Sequence, residues 1–270
     1  MRVARARAGG GRAVRTRAVR ARASEGERAR ERATRREMQS GLALGALARA
    51  LGVCVVARDE RALAGGVRDA YDGYASTYDD LDGGTAARAL GLEEMRARAL
   101  GAARGDVLEL AVGTGLNLPA YDRSKVRTLT AIDLSPGMLE RARARARELE
   151  LDDVARFAEA DATALPFEDG SFDFVVDTFS LCVIEDPVAA LREVRRVLRK
   201  DGHAVLIEHS KSDVGALGWY QDVTSAPVKA MSKGCVWNQD VESMIQQAGM
   251  RVVKSQRALL GLLVVVEAAP

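Results

Sequence analysis

The chain reads as an α/β protein: a mostly parallel sheet with helices on both faces and an antiparallel strand pair at its C-terminal end. Two features carry this expectation. From about residue 68 onward, short apolar runs alternate with longer segments rich in helix formers, the order of a parallel sheet with crossover helices. The last two runs, RVVKSQR and LLGLLVVVEA, have no helical pattern between them, so they form a hairpin. The composition agrees, because 270 residues of which 47% are hydrophobic can bury a core, excluding wholesale disorder.

The elements follow in order. DVLELAV (106–112) is an apolar run ending at a glycine, and TLTAID (128–133) is another, ending at an acid. MLERARARARELELDD (138–153) is dense in strong helix formers and carries the Glu140–Arg143 i,i+3 pair. ARFAEAD (155–161) and FDFVVDT (172–178) are the third and fourth strands. PVAALREVRRVLRK (187–200) is an amphipathic helix, apolar at 188, 191, 194, 197 and 198; Asp201-Gly202 ends it and HAVLIEHS (203–210) is the fifth strand. Residues 239–249 form a helix that closes near Gly249, ahead of the terminal strand pair.

The net charge of +2 conceals a split. Residues 1–37 hold 13 Arg and 4 Glu, a net +9, which leaves –7 on the other 233. The first 24 residues contain eight Arg and no acid, and show no apolar face from which to build a core. Three readings of residues 1–40 stand: an organelle transit peptide, a nucleic-acid-binding arm, and a biased tail without a task. We take the first, with a plastid as destination and a mitochondrion as the alternative; Val19–Ser24 resembles a processing region. Residues 41–67 form a separate segment. Its apolar stretch 41–57 contains Arg49 and is shorter than the roughly 20 residues a membrane span needs. An amphipathic helix lying on the domain or on a membrane surface is expected instead, which allows peripheral membrane association. Arg35-Arg36 upstream matches a twin-arginine signal in little more than the pair. Three Cys (54, 182, 235), odd in number and far apart, argue against a disulfide framework or a Cys-type zinc site. Two histidines exclude a His-rich metal centre, so no metal is expected. Aromatics at 4% argue against a platform for stacking single-stranded nucleic acid.

The chemistry begins at Glu109. VLELAVGTGLN places a Gly113-Thr114-Gly115 turn directly after a strand, where glycine accepts positive φ and lets the backbone approach a ligand. A dinucleotide fingerprint would have a third glycine at 118, where Leu118 stands. Glu109 repels a pyrophosphate but attracts an ammonium. Asp133, at the end of the second strand, suits both ribose hydroxyls. Asp161, at the end of the third, suits an exocyclic adenine amine. A ligand with a ribose, an adenine, a positive charge and no phosphate is S-adenosylmethionine (SAM) rather than NAD. Acids at strand ends also cap helices or face solvent, and that reading holds for any one of them better than for all three beside Gly-Thr-Gly.

VLELAVGTGLN, LTAIDLSPGMLERAR, EADATALPFEDGSFDFVV and ALREVRRVLRKDGHAVLIEHS together resemble the successive motifs of class I SAM-dependent methyltransferases, in the type 11 group that includes the ubiquinone/menaquinone enzymes. The resemblance covers roughly 70–268. It implies a Rossmann-like seven-stranded sheet of order 3-2-1-4-5-7-6 and a methyltransferase domain over 68–270. It implies cofactor contacts from Tyr71, Tyr78, Glu109, Ala111, Gly113, Thr114, Gly115, Asn117, Asp133, Leu134, Met138, Asp161, Ala162 and Thr178, with the tyrosines of YDGYASTYD closing over the cofactor. Ala111 stands where the family usually has glycine, from which tighter packing is expected. Thr178–Asp186 departs from the Phe-Gly-Leu-Arg-Asn element of the quinone enzymes. SLCVIEDP, the EHS after the fifth strand and the segment from Trp219 to Met250 look instead like the methyltransferase-like 7 group, with its plant and algal plastid relatives.

The expected reaction is in-line methyl transfer to a small, lipophilic acceptor: a thiol, a phenol or similar. The alternatives are a prenylquinone or lipid methyltransferase and a SAM-binding protein without turnover. RNA as substrate is disfavoured by the acidic body. His209, ending the fifth strand, is the candidate general base, with a structural hydrogen bond as the competing reading. Cys182 and Cys235 lie in segments expected to shape the acceptor pocket, although free cysteines are usually small buried hydrophobes. Trp219, Tyr220, Trp237 and Asn238 either line the acceptor side or pack the domain. The oligomeric state is left open.

Overall fold

The structure, a computed structural model, describes residues 66–81 and 85–270. The expectations for 1–40 and 41–57 fall outside these residues. Seven strands, β1 (Gly105–Leu110), β2 (Val126–Asp133), β3 (Ala155–Glu159), β4 (Phe172–Thr178), β5 (Leu198–His209), β6 (Arg251–Ala258) and β7 (Leu263–Ala269), form one sheet in the order β3-β2-β1-β4-β5-β7-β6. The first five pair in parallel, and β7 runs antiparallel between β5 and β6. This is the expected Rossmann-like sheet. The helices are α1 (Gly66–Tyr74), α2 (Tyr78–Leu81), α3 (Thr85–Ala89), α4 (Leu92–Leu100), α5 (Pro136–Glu148), α6 (Pro187–Val197), α7 (Gly215–Met231) and α8 (Val241–Gln247).

The central strands are apolar along their length because both faces are covered. Leu108, Val175, Leu206 and Val264 pack on one face against Leu191 and Val194 of α6 and Ile245 of α8. Val107, Leu129, Phe174 and Val205 pack on the other with Leu92, Met95 and Leu100 of α4. The edge strand β6 is exposed and carries Arg251, Lys254 and Arg257, charges that discourage edge-to-edge pairing.

The structure moves several expected boundaries. Helix α5 starts at Pro136 rather than 138, because Ser135 caps it by accepting from Met138 N at 3.1 Å and Pro136 fits the first turn. It stops at Glu148 rather than running to 153, and Glu150 turns the chain at φ 55°. Strand β5 starts at Leu198, directly after α6, with a register shift against β4 between Phe172 and Phe174. Helix α8 spans 241–247 within the expected 239–249.

Candidate functional site

Glycine and alanine geometry shapes the turn after β1. Ala111, Gly113 and Gly115 have φ of 44°, 56° and 83°. At Gly115 a Cβ would also stand 2.7 Å from Leu118 Cδ1, so both conformation and packing require glycine there. At Gly113 a Cβ would meet nothing closer than 4.0 Å, so only the conformation does. The Gly113 N–H donates to Asp133 Oδ2 at 2.8 Å, and the Ser135 N–H donates to Oδ1 at 2.9 Å. These bonds fix the Asp133 carboxylate at the end of β2, while burial pushes its pKa up.

A cavity of about 730 Å³ opens over the carboxyl ends of β1, β2 and β4. Of the expected cofactor contacts, Tyr71, Tyr78, Ala111, Gly113, Asp133, Leu134, Met138, Asp161, Ala162 and Thr178 line it. Asp161 is held by the Thr163 N–H and hydroxyl at 2.8 and 2.7 Å. Its wall also includes Val67, Arg68, Phe179, Val183 and Ile184, and its acids include Glu185 and Asp186. Among the described lining residues there are therefore four carboxylates and one cation, Arg68, which pairs with Glu159 at 2.6 Å. That balance opposes a phosphate and suits a cationic ligand.

Glu109, Thr114, Gly115 and Asn117 are not in this lining. Glu109 is 1% exposed and lies beneath the turn. Asn117 Nδ2 donates to its Oε1 at 2.8 Å and the Tyr121 hydroxyl donates to its Oε2 at 2.9 Å. Burial raises the Glu109 pKa to about 7 against these hydrogen bonds and the nearby Arg96 guanidinium. Thr114 and Asn117 line a small crevice beside Tyr78. Asn117 also donates to Thr178 Oγ1 at 3.0 Å, linking the first turn to the end of β4.

Helices α1 and α2 are held over the site by contacts that sequence reasoning missed. Asp72 Oδ1 accepts from the Ser135 hydroxyl at 2.9 Å and from Gly137 N at 2.6 Å, placing a carboxylate at the N-terminus of α5. Asp79 pairs with Arg145 and accepts from Thr114 Oγ1, while Arg145 Nη1 donates to the Thr114 carbonyl at 3.0 Å. Tyr71 and Tyr78 thereby meet the cavity, with Tyr74 edge-on to both rings. Asp72 and Asp79 in YDGYASTYDD were the available signal for this docking.

Other expectations are corrected. Trp219 is 66% exposed, Trp237 is buried against Tyr220, and Asn238 bonds Ser225 and Asp222; neither they nor Tyr220 line the cavity. They pack α7 or face outward. His209 ends β5 as expected, but it is 4% exposed and outside the cavity lining, its ring 5.1 Å from that of Phe179. Its Nδ1 is 3.7 Å from Cys235 Sγ. A general base must reach the acceptor proton, and His209 is not among the described residues that line the cavity. Nor are the two described cysteines far apart in space: Cys182, His209 and Cys235 converge, so the spacing argument against a cysteine metal site does not hold.

Residues 108–206 match the model of a methyltransferase domain family. The chain is 37% identical over 140 residues to phosphatidylethanolamine N-methyltransferase of Cereibacter sphaeroides, covering 47% of this chain and 68% of that protein. It is 32% identical to the ubiquinone/menaquinone biosynthesis C-methyltransferase of Shewanella woodyi, covering 58% and 64%. The matched share falls to 36% and 42% of other curated relatives. A solved SAM-dependent methyltransferase from Aquifex aeolicus superposes with a TM-score of 0.54 at 20% identity, covering 73% of this chain and 97% of that one.

Proposed function

The chain belongs to the class I SAM-dependent methyltransferases of type 11, and from that premise we propose that it methylates a small lipophilic acceptor such as a thiol or a phenol. SAM fits the residues present. Asp133 offers a carboxylate fixed by two backbone N–H groups, Asp161 faces the same space, and the lining acids favour a cationic ligand over a phosphate. Bound there, SAM supplies a methyl group already activated on a sulfonium. Asp133 would hold the ribose hydroxyls, Asp161 the adenine amine, and Tyr71 and Tyr78 would cover the site and exclude water. The chain's part in the reaction is then proximity and alignment.

The observation that carries the acceptor class is the mixed lining of the cavity, in which Asp133 and Asp161 are joined by Val67, Phe179, Val183 and Ile184. A second reading, a prenylquinone or lipid as acceptor, draws on the named activities of the two curated relatives. One experiment separates them. The full chain and labelled SAM are incubated with an alkyl thiol, a phenol, a quinol and phosphatidylethanolamine vesicles. Transfer to the thiol or phenol is expected. Transfer only to the quinol or the lipid replaces the first reading with the second, and none to any acceptor with SAM bound overturns both. Residues 1–40 we read as a plastid-targeting segment on their Arg-rich, acid-free start. A fusion of residues 1–67 to a fluorescent protein that enters mitochondria or stays cytosolic would overturn that reading.

A further inference from the structure

We infer that Cys182, His209 and Cys235 form a binding site for one zinc ion, set behind the Phe179 wall and separate from the methyl-transfer cavity. The donors come from three segments: the turn after β4, the end of β5 and the loop after α7. The two sulfurs and a His209 ring nitrogen all lie within 4.8 Å of one another, and Cys235 Sγ stands 3.7 Å from His209 Nδ1. Around tetrahedral zinc, with Zn–S about 2.3 Å and Zn–N about 2.0–2.1 Å, neighbouring donors stand about 3.5–3.8 Å apart. The cluster is thus a small contraction from coordinating geometry.

Each of the three residues is 4% exposed or less. Isolated buried cysteines are ordinary core residues, but two of them meeting the end of a buried histidine are a soft donor set. Asp177 and Glu208 are buried nearby. Two thiolates and a neutral imidazole around Zn2+ make a neutral site, whereas the same donors around Cu+ leave a net negative charge in a buried site. That difference selects zinc among the d10 cations. The protons of both thiols leave when the metal binds.

The ion would tie the cavity's Ser180–Val183 turn to β5 and to the loop after α7. A backbone bond from Val236 N to the Cys182 carbonyl at 2.7 Å already makes part of that connection.

The test uses the untagged full chain, purified under reducing conditions, reconstituted anaerobically with Zn2+ or Co2+ and dialysed. The expected result is about one zinc per chain and a thiolate-to-cobalt charge-transfer band. Cys182→Ala and Cys235→Ala should each lose the ion, while Cys54→Ala keeps it. If the alanine variants do not fold, the wild-type cobalt spectrum and its change in His209→Gln decide. Less than about a tenth of a zinc per chain with no cobalt band overturns the site. So does preferential retention of Cu+, or a Cys182–Cys235 disulfide that persists in reducing buffer.

Discussion

Ala111 shows what one methyl group does in a turn that the rest of the motif builds from glycine. Its φ of 44° is left-handed, a region that costs a residue with a Cβ roughly 1–2 kcal/mol. The sequence suggested only tighter packing; the consequence is backbone strain beside the cavity, which composition does not reveal because φ is set by the whole turn. Ala111→Gly relieves the strain but adds unfolded-state entropy, so a net gain of up to about 1 kcal/mol is expected. A fall in melting temperature would refute this account. Two residues earlier, Glu109 makes stability depend on pH. Its folded pKa of about 7 lies above its ordinary value of 4.5, so the folded state holds a proton that the unfolded state has released. Stability therefore falls as pH rises from 4.5 to 7 and levels off above, by at most about 3 kcal/mol. Glu109→Gln should flatten that part of the curve. Gln leaves the nearby Arg96 less compensated only above about pH 7, where Glu109 ionises, so the slope of melting temperature between pH 5 and 7 is the readout, and an unchanged slope would reject the assignment.

Among the elements, α1 packs on α5 through Tyr71, Tyr74 and Met138 and pairs Arg68 with Glu159. Asp72 ties it to the start of α5 through two hydrogen bonds, and Asp79 with Arg145 ties α2 to the turn at Thr114. Asp72→Ala should release α1 while leaving the sheet folded, at a cost of about 1–2 kcal/mol to that docking. Trypsin should then cut at Arg68 roughly tenfold faster, with the main thermal transition almost unmoved. Equal cutting rates would show that the tyrosine cluster holds α1 without Asp72. The same contrast explains what could be read in advance. The parallel strands were legible because burial on both faces writes an unbroken apolar run, with the end of the first marked by a glycine turn and those of β2 and β3 by Asp133 and Asp161. Helix α7 was not: Gly215, Gly218 and Pro227 within Gly215–Met231 break the usual pattern, and its buried face includes Gly218, Gln221 and Thr224. The docking of α1 was equally silent, since Asp72 finds its partners 63 and 65 residues away. So was the meeting of Cys182, His209 and Cys235, which exists only once β5 and the loop after α7 are side by side.

For the molecule as a whole, the cavity's charge can be read through the stability of the fold. A ligand that binds only the folded chain stabilises it by RT ln(1 + [L]/Kd), about 2.7 kcal/mol at a hundredfold excess over Kd. For a domain of this size that corresponds to a rise of about 5–10 °C in melting temperature. SAM should produce such a rise in the full chain. Asp133→Ala should lose most of it, because the variant keeps the turn glycines but removes the carboxylate that Gly113 and Ser135 hold in place. NAD at the same concentration should shift the transition by less than about 1 °C, since its pyrophosphate would face Asp133, Asp161, Glu185 and Asp186 without a third glycine to cradle it. A NAD shift equal to that of SAM would mean that the lining acids do not govern selection. A SAM shift that survives in Asp133→Ala would move the ribose contact elsewhere along the strand ends, Asp161 being the next carboxylate in line.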